Sequence, residues 1–149
     1  MQKSYLALGC FWKPEETFRQ ITGIIETEVG YAGGDSSNTN YEEVCTGKTG
    51  HTETVKIIFD EKIISYEKLL EVFFKIHDPT QKDMQYPDVG TQYRSEIFYE
   101  TEQQKNTAKK YKELFNEKFK GKIETNISKI KNYCKAEEYH QKYIMKRGQ

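Results

Sequence analysis

Ser4-Tyr5-Leu6-Ala7-Leu8-Gly9-Cys10-Phe11-Trp12 passes from a short apolar run through a glycine to a cysteine and two large aromatics. The apolar run is bounded by Gly9, which predicts a buried strand. From Lys13 to Gln20 the pattern is helical, with Pro14 in the first turn, where a missing N–H costs little. Cys10 is therefore expected at or just before a helix N-terminus. Unpaired amides and the helix dipole favour a thiolate there, so the position predicts a lowered thiol pKa and a nucleophile. Phe11 and Trp12 would wall a small apolar pocket beside the sulfur. A lone cysteine after a strand is more often an inert core residue, so the rest of the chain has to decide.

Outward from this stretch, Ile24 to Gly30 alternates, with Ile25, Thr27 and Val29 on one face of a strand that runs into the turn-rich Tyr31 to Asn38. Thr52 to Asp60 alternates cleanly, with Val55, Ile57 and Phe59 on one side. Glu53 shares their parity. A carboxylate on a core face is costly when ionised, and burial there would raise its pKa; the same spacing also fits a strand-end side chain that reaches water. Ser65 can cap a helix bearing Tyr66, Leu69, Leu70, Phe73 and His77 on one side, stopped at Asp78-Pro79. Thr80 to Gly90 reads as irregular, and Arg94 to Tyr99 as a strand with Tyr93 at its entrance. Thr101 and Gln104 form a capping box for a long helix with Ala108, Tyr111, Phe115 and Phe119 inward, ended by Gly121. Ile123, Thr125 and Ile127 suggest another strand, and Glu137 to Met145 a closing helix with Tyr139 and Tyr143 on one face. Strands near Lys3, Ile24, Thr52, Arg94 and Ile123 with helices between predict an α+β sheet covered mainly on one side.

The 149 residues suit one domain, 1–149, and no repeat or linker divides them. Lysine plus arginine and aspartate plus glutamate both number 23, so no net field argues for nucleic acid or an anionic membrane. Apolar runs fall short of a bilayer span and Met1-Gln2-Lys3 opens directly into a strand, so a soluble, cytoplasmic protein is expected. Cys10, Cys45 and Cys134 are too few and too scattered for a disulfide framework, and no Cys/His spacing suits zinc. His51, His77 and His140 are likewise scattered and read as structural. Thr46-Gly47-Lys48-Thr49 lacks the first glycine of a phosphate loop, because Glu42 stands there.

Several blocks then occur in order. They are Gly9-Cys10-Phe11-Trp12, Gly30-Tyr31-Ala32-Gly33-Gly34, Tyr41-Glu42-Glu43-Val44-Cys45 and Thr49-Gly50-His51-Thr52-Glu53, followed by His77-Asp78-Pro79-Thr80, Asp88-Val89-Gly90-Thr91-Gln92-Tyr93-Arg94-Ser95 and Ala136-Glu137-Glu138-Tyr139-His140-Gln141. From Gly9 to about Tyr143 the chain resembles the A-class peptide methionine sulfoxide reductases, which restore oxidised methionine. The resemblance implies a ferredoxin-like α/β plait. It implies that Cys10 attacks the sulfoxide sulfur, Phe11 and Trp12 hold the methyl group, Glu53 protonates the sulfoxide oxygen, Tyr41 and Tyr93 hydrogen-bond that oxygen, and Asp88 contacts the substrate or its water. No metal or organic cofactor is implied, only an external thiol reductant of thioredoxin or glutaredoxin and glutathione type. Lys13-Pro14 and Lys82 to Tyr86 depart from the family pattern. The chain also ends without the glycine-rich cysteine tail that many relatives use to resolve the sulfenic acid, which leaves an external thiol first and Cys134 second as the expected resolver; Cys45, beside Val44, is expected to be buried.

The chemistry asks for such a set on its own account. A sulfoxide oxygen leaves poorly until protonated, so a thiolate needs an acid whose pKa lies near the working pH, and phenols can donate without competing as bases. A peroxide-reducing thiol enzyme and a non-catalytic module for oxidised methionine are the competing readings. Peroxide needs no methyl pocket, and a binding module needs neither Cys10 nor Glu53.

Overall fold

Leu6 pairs with Val55 on one side and with Ile97 on the other, which puts the strand before Cys10 at the centre of the protein. A computed structural model describes residues 1–148. Its strands are β1 (Gln2–Leu8), β2 (Ile24–Ala32), β3 (Thr52–Phe59), β4 (Met84–Gln85), β5 (Asp88–Val89), β6 (Ser95–Tyr99), β7 (Asn126–Lys129) and β8 (Cys134–Lys135). Its helices are α1 (Trp12–Arg19), α2 (Tyr41–Cys45), α3 (Tyr66–Ile76), α4 (Glu102–Lys118) and α5 (Tyr143–Gly148). Six strands form a mixed sheet in the order β7-β6-β1-β3-β2-β8, antiparallel except for β6 and β7, so the fold is α+β as expected. Strands β4 and β5 make a separate hairpin across a cis Tyr86-Pro87 bond.

Period-two alternation divides the strands between two faces. Leu6, Val29, Val55, Ile57 and Ile97 pack under Phe18 of α1, Leu69 and Phe73 of α3, and Ala108 and Phe115 of α4. The apolar cluster on the other face is smaller, Tyr5, Ala7, Ala32 and Phe98, with Ile130 and Tyr133 packed against it. The caps act as foreseen: Ser65 Oγ accepts from the Lys68 amide at 3.1 Å and Thr101 Oγ1 from the Gln104 amide at 3.1 Å. Among the described residues no helix is long and apolar enough to cross a membrane.

Four expectations are corrected. Ile25 is exposed rather than facing inward, because it is the extra residue of a bulge between Ile24 and Glu26. The supposed loop from Tyr31 is still strand to Ala32, and a short helix, α2, follows it. The strand near Ile123 begins only at Asn126; before it, the Ile123 amide donates to Asn116 Oδ1 at 3.1 Å and the Glu124 amide to the Pro79 carbonyl at 2.7 Å. The closing helix is broken in two, a turn of 3-10 helix at Glu138–His140 and then α5, with Lys142 at φ 49° between them. Gln141 causes the break, since its side chain accepts from the Val29 amide at 2.9 Å and donates to the Val29 carbonyl at 2.8 Å, which pins the backbone to β2.

Candidate active site

The chain leaves β1 through Gly9 at φ 99°, a conformation that L side chains resist, and a Cβ there would press on Gln85 Cγ at 2.9 Å. This turn swings Cys10 to the mouth of α1, whose N-cap is Phe11. The Phe11 amide donates to Glu53 Oε1 at 3.1 Å, joining the turn to β3. Glu53 stands on the helix-covered face with 2 % of its surface exposed, which decides the alternative that spacing alone left open. Burial pushes its carboxyl up to about 8, helped by the charge of Asp88, while the Phe11 amide and the Cys10 thiol donate to it and hold it back.

Cys10 departs from the sequence expectation. Burial and then the neighbouring Glu53 push the thiol up to about 12, although a backbone hydrogen bond from Trp12 acts in the other direction. The helix N-terminus is present but outweighed, because the thiolate would be desolvated beside a carboxylate. At neutral pH the resting pair is thiol and carboxylic acid.

The other foreseen residues assemble around this pair. Tyr41 opens α2, where Asn40 Oδ1 caps the Glu43 amide at 2.9 Å, and the Tyr41 amide is tied to Glu137 Oε2 at 2.9 Å. Its hydroxyl donates to the Cys45 sulfur, one helical turn on, and this contact and then burial raise its pKa. Tyr93 sits in a 3-10 turn after Gly90; burial, then the charges of Glu53, Cys45, Asp88 and Cys10, push its phenol up to about 12, so both phenols stay donors. Asp88, on the β4–β5 hairpin, lines a cavity of about 470 Å³ with Cys10. Phe11 is fully buried between Tyr31 and His140, at ring distances of 5.8 and 5.2 Å, and Trp12 is half-buried beside it.

Comparison with known proteins gives the family. The family model described as peptide methionine sulfoxide reductase matches residues 2–149. A peptide methionine sulfoxide reductase MsrA from Pelagibacter ubique is 56% identical over 147 residues, covering 99% of this chain and 100% of its own length. The chain belongs to the peptide methionine sulfoxide reductase family. A second reductase, from Methanosarcina acetivorans, is 51% identical over 99% of this chain and 80% of its own. Reduced Mxr1 from Saccharomyces cerevisiae superposes with a TM-score of 0.95 at 39% identity, over 99% of this chain and 86% of its own. Mxr1 in complex with Trx2 gives 0.68 at 28% identity, over 95% and 84%. The chain is thus an oxidoreductase that reduces methionine sulfoxide.

The sequence placed no residue behind the reductase site, though Glu137 and His140 lie in the quoted Ala136 to Gln141 block and Tyr143 just beyond it. His140 Nδ1 accepts the Trp12 indole N–H at 3.0 Å, and its ring lies 4.8 Å from that of Tyr41. Tyr143 stacks on Trp12 at 3.7 Å with 6° between the planes. Glu137 accepts from the Tyr31 hydroxyl at 2.8 Å as well as from Tyr41, so one carboxylate fixes two aromatics. His77 is a structural residue, as expected: its two nitrogens meet the Phe73 carbonyl at 2.6 Å and Ser95 Oγ at 2.8 Å. His51 likewise meets the Ser36 carbonyl at 2.7 Å.

All three cysteines of the reductase are free thiols. Cys45 is exposed, contrary to expectation, because only Val44 of α2 turns inward. Cys134, half-buried on edge strand β8, makes a 3.5 Å contact to the Thr39 carbonyl. Strands β2 and β3 separate β8 from β1, and three inter-strand spacings amount to about 14 Å, against the roughly 7 Å between Cα atoms that a disulfide tolerates.

Proposed function

We propose that residues 1–149 form one domain that reduces the S epimer of methionine sulfoxide, free or within a polypeptide, through a sulfenic acid on Cys10. The observation that carries this reading is the contact between Cys10 and a buried carboxyl whose pKa lies near 8. Strand order β6-β1-β3-β2, with connections through α1 and α3, supports reading the centre of the sheet as a ferredoxin-like α/β plait.

In this mechanism Glu53 gives its proton to the sulfoxide oxygen while Tyr41 and Tyr93 donate hydrogen bonds to it. As positive charge grows on the substrate sulfur, the Cys10 proton passes to the Glu53 carboxylate and the Cys10 sulfur bonds to the substrate sulfur. The hydroxyl then moves to Cys10 as the sulfur–sulfur bond breaks, its electron pair staying on the departing methionine, so that methionine is reduced and Cys10 is oxidised by two electrons to the sulfenic acid. Trp12, with Phe11 behind it, holds the methyl group and Asp88 orients the substrate or its water. One external thiol then condenses with the sulfenic acid, releasing water and leaving a mixed disulfide; a second frees Cys10 as the external disulfide forms. A reductant of thioredoxin or glutaredoxin and glutathione type fits this step, since Cys134 is distant and a relative is known in complex with Trx2.

The test supplies separated S and R epimers of N-acetylmethionine sulfoxide with dithiothreitol. Consumption of the S epimer alone, abolished in Cys10→Ser, is the expected result; equal use of both epimers, or turnover by the variant, refutes it. Counting thiols after one equivalent of substrate without reductant should show the loss of one per chain. Loss of two, with a mapped Cys10 to Cys134 bridge, would make Cys134 the resolver.

A further inference from the structure

The cavity beside Cys10 does not end at the nucleophile. Ile76 and His77, at the end of α3, line both it and a second depression of about 700 Å³, so the two adjoin across the helix terminus. The second depression has a floor of Phe74, Phe115 and Phe119 between α3 and α4, with Lys75 and Lys118 exposed on its rim. Lys13, one of the departures from the family pattern, stands exposed at the first. His77 cannot serve as a ligand, because both its nitrogens are engaged.

Charge along this path is uneven. Among the described residues no carboxylate comes within ion-pair distance of Lys13, Lys75 or Lys118. Asp78, which borders the second depression, spends its oxygens on the Thr80 amide and hydroxyl and on the Gln81 side chain. Asp88, on the first, is the site residue beside Cys10. What remains away from the reacting centre is an apolar floor edged by ammonium groups without carboxylate partners, one of which, that of Lys118, lies 4.9 Å over the Phe115 ring. A methionine sulfoxide held by Trp12, Tyr41 and Tyr93 would meet this groove only at its Cys10 and Asp88 edge.

We propose that this groove binds the part of an oxidised polypeptide that flanks its methionine sulfoxide, and selects flanks carrying apolar and acidic side chains. The inference rests on the reductase reading above and names the substrate class of that site. The apolar side chains would lie on Phe119 and Ile76, and the acidic ones would meet Lys75 and Lys118.

The experiment measures single-turnover reduction, without reductant, of two heptapeptides with the same central methionine sulfoxide. One carries leucine and aspartate on both sides, the other leucine and lysine. At low salt and limiting peptide the aspartate peptide should react faster by about tenfold, an advantage that added salt removes. The Lys75→Glu/Lys118→Glu double variant should invert the order, and inversion also shows that the variant is folded. Equal rates in the unaltered protein, or a preference that survives the double variant, overturns the inference. So does a variant that alters only recycling by a reductant protein, since the face would then belong to the reductant. N-acetylmethionine sulfoxide methyl ester has no flanks; if the unaltered protein fails to reduce it, the reductase reading falls, and this inference with it.

Discussion

Glu15 and Glu53 lie on either side of the start of α1, and they are 1% and 2% exposed. Equal burial leads to opposite outcomes. Glu15 accepts from the Thr27 hydroxyl at 2.8 Å and the Lys142 amide at 2.8 Å, with the Lys142 ammonium at 4.0 Å. These contacts tie α1 to β2 and to the entrance of α5. Glu53 has one amide, at 3.1 Å, and the Cys10 thiol, and its charged neighbour is Asp88 instead of a lysine. Glu15, surrounded by donors, works as a fastener, whereas burial of Glu53 with few donors raises its pKa. The difference lies in the company each keeps and not in depth.

The largest effect should come from removing the proton. Glu53→Gln keeps the shape and is expected to slow the single-turnover reductive step by roughly 10²–10⁴-fold; an unchanged rate would remove Glu53 from the chemistry. In the unaltered protein the same step should hold level at lower pH and decline as pH rises through about 8, where Glu53 loses its proton. Next, Tyr41→Phe combined with Tyr93→Phe removes both phenolic donors and should cost roughly 10²-fold in the same measurement. A loss confined to KM would mean that the phenols only bind.

Stability sharpens the contrast between the two glutamates. Glu15→Leu discards acceptors and leaves the Thr27 hydroxyl and Lys142 amide unpaired, so denaturant unfolding should show a loss of about 1–3 kcal/mol. For Glu53 the sign is reversed. Its folded pKa is raised to about 8 from 4.5, so the folded state holds the extra proton and stability falls as pH rises from 4.5 to 8. Glu53→Gln should therefore melt above the unaltered protein at pH 8, with the gap closing near pH 4.5; a constant gap would show that ionisation is not the cause. The smallest effect is expected at the buttress, where His140→Phe deprives the Trp12 indole of its acceptor, at about 1 kcal/mol.

Much of this was legible in the chain. Periodicity and caps located β1, α1, β3, α3 and α4, because each is long enough for its own pattern to dominate. Parity placed Glu53 with the core residues, but only the helices over that face decided that it is buried. What escaped depends on distant partners. Helix α2 has five residues and is held by Asn40 and by Glu137, 96 residues away. Strand β8 has two residues and exists because β2 offers an edge. The broken C-terminal helix follows from Gln141 bonding to Val29, 112 residues earlier. The helix-terminus rule failed for Cys10 because a local dipole was outweighed by burial and by Glu53, neither of which local spacing registers.

The stack of Trp12 on Tyr143 has an optical consequence. Trp12 is the sole tryptophan of the chain, and it lies against Tyr143 with its indole N–H on His140. The emission of the whole protein under red-edge excitation is therefore the emission of one ring at the reacting centre. A bound methyl group, an oxygen gained by the sulfur of Cys10, or a displaced α5 would each change the intensity or colour of that light. Occupancy and oxidation can be followed in real time in the unlabelled protein, with no background from elsewhere in the fold.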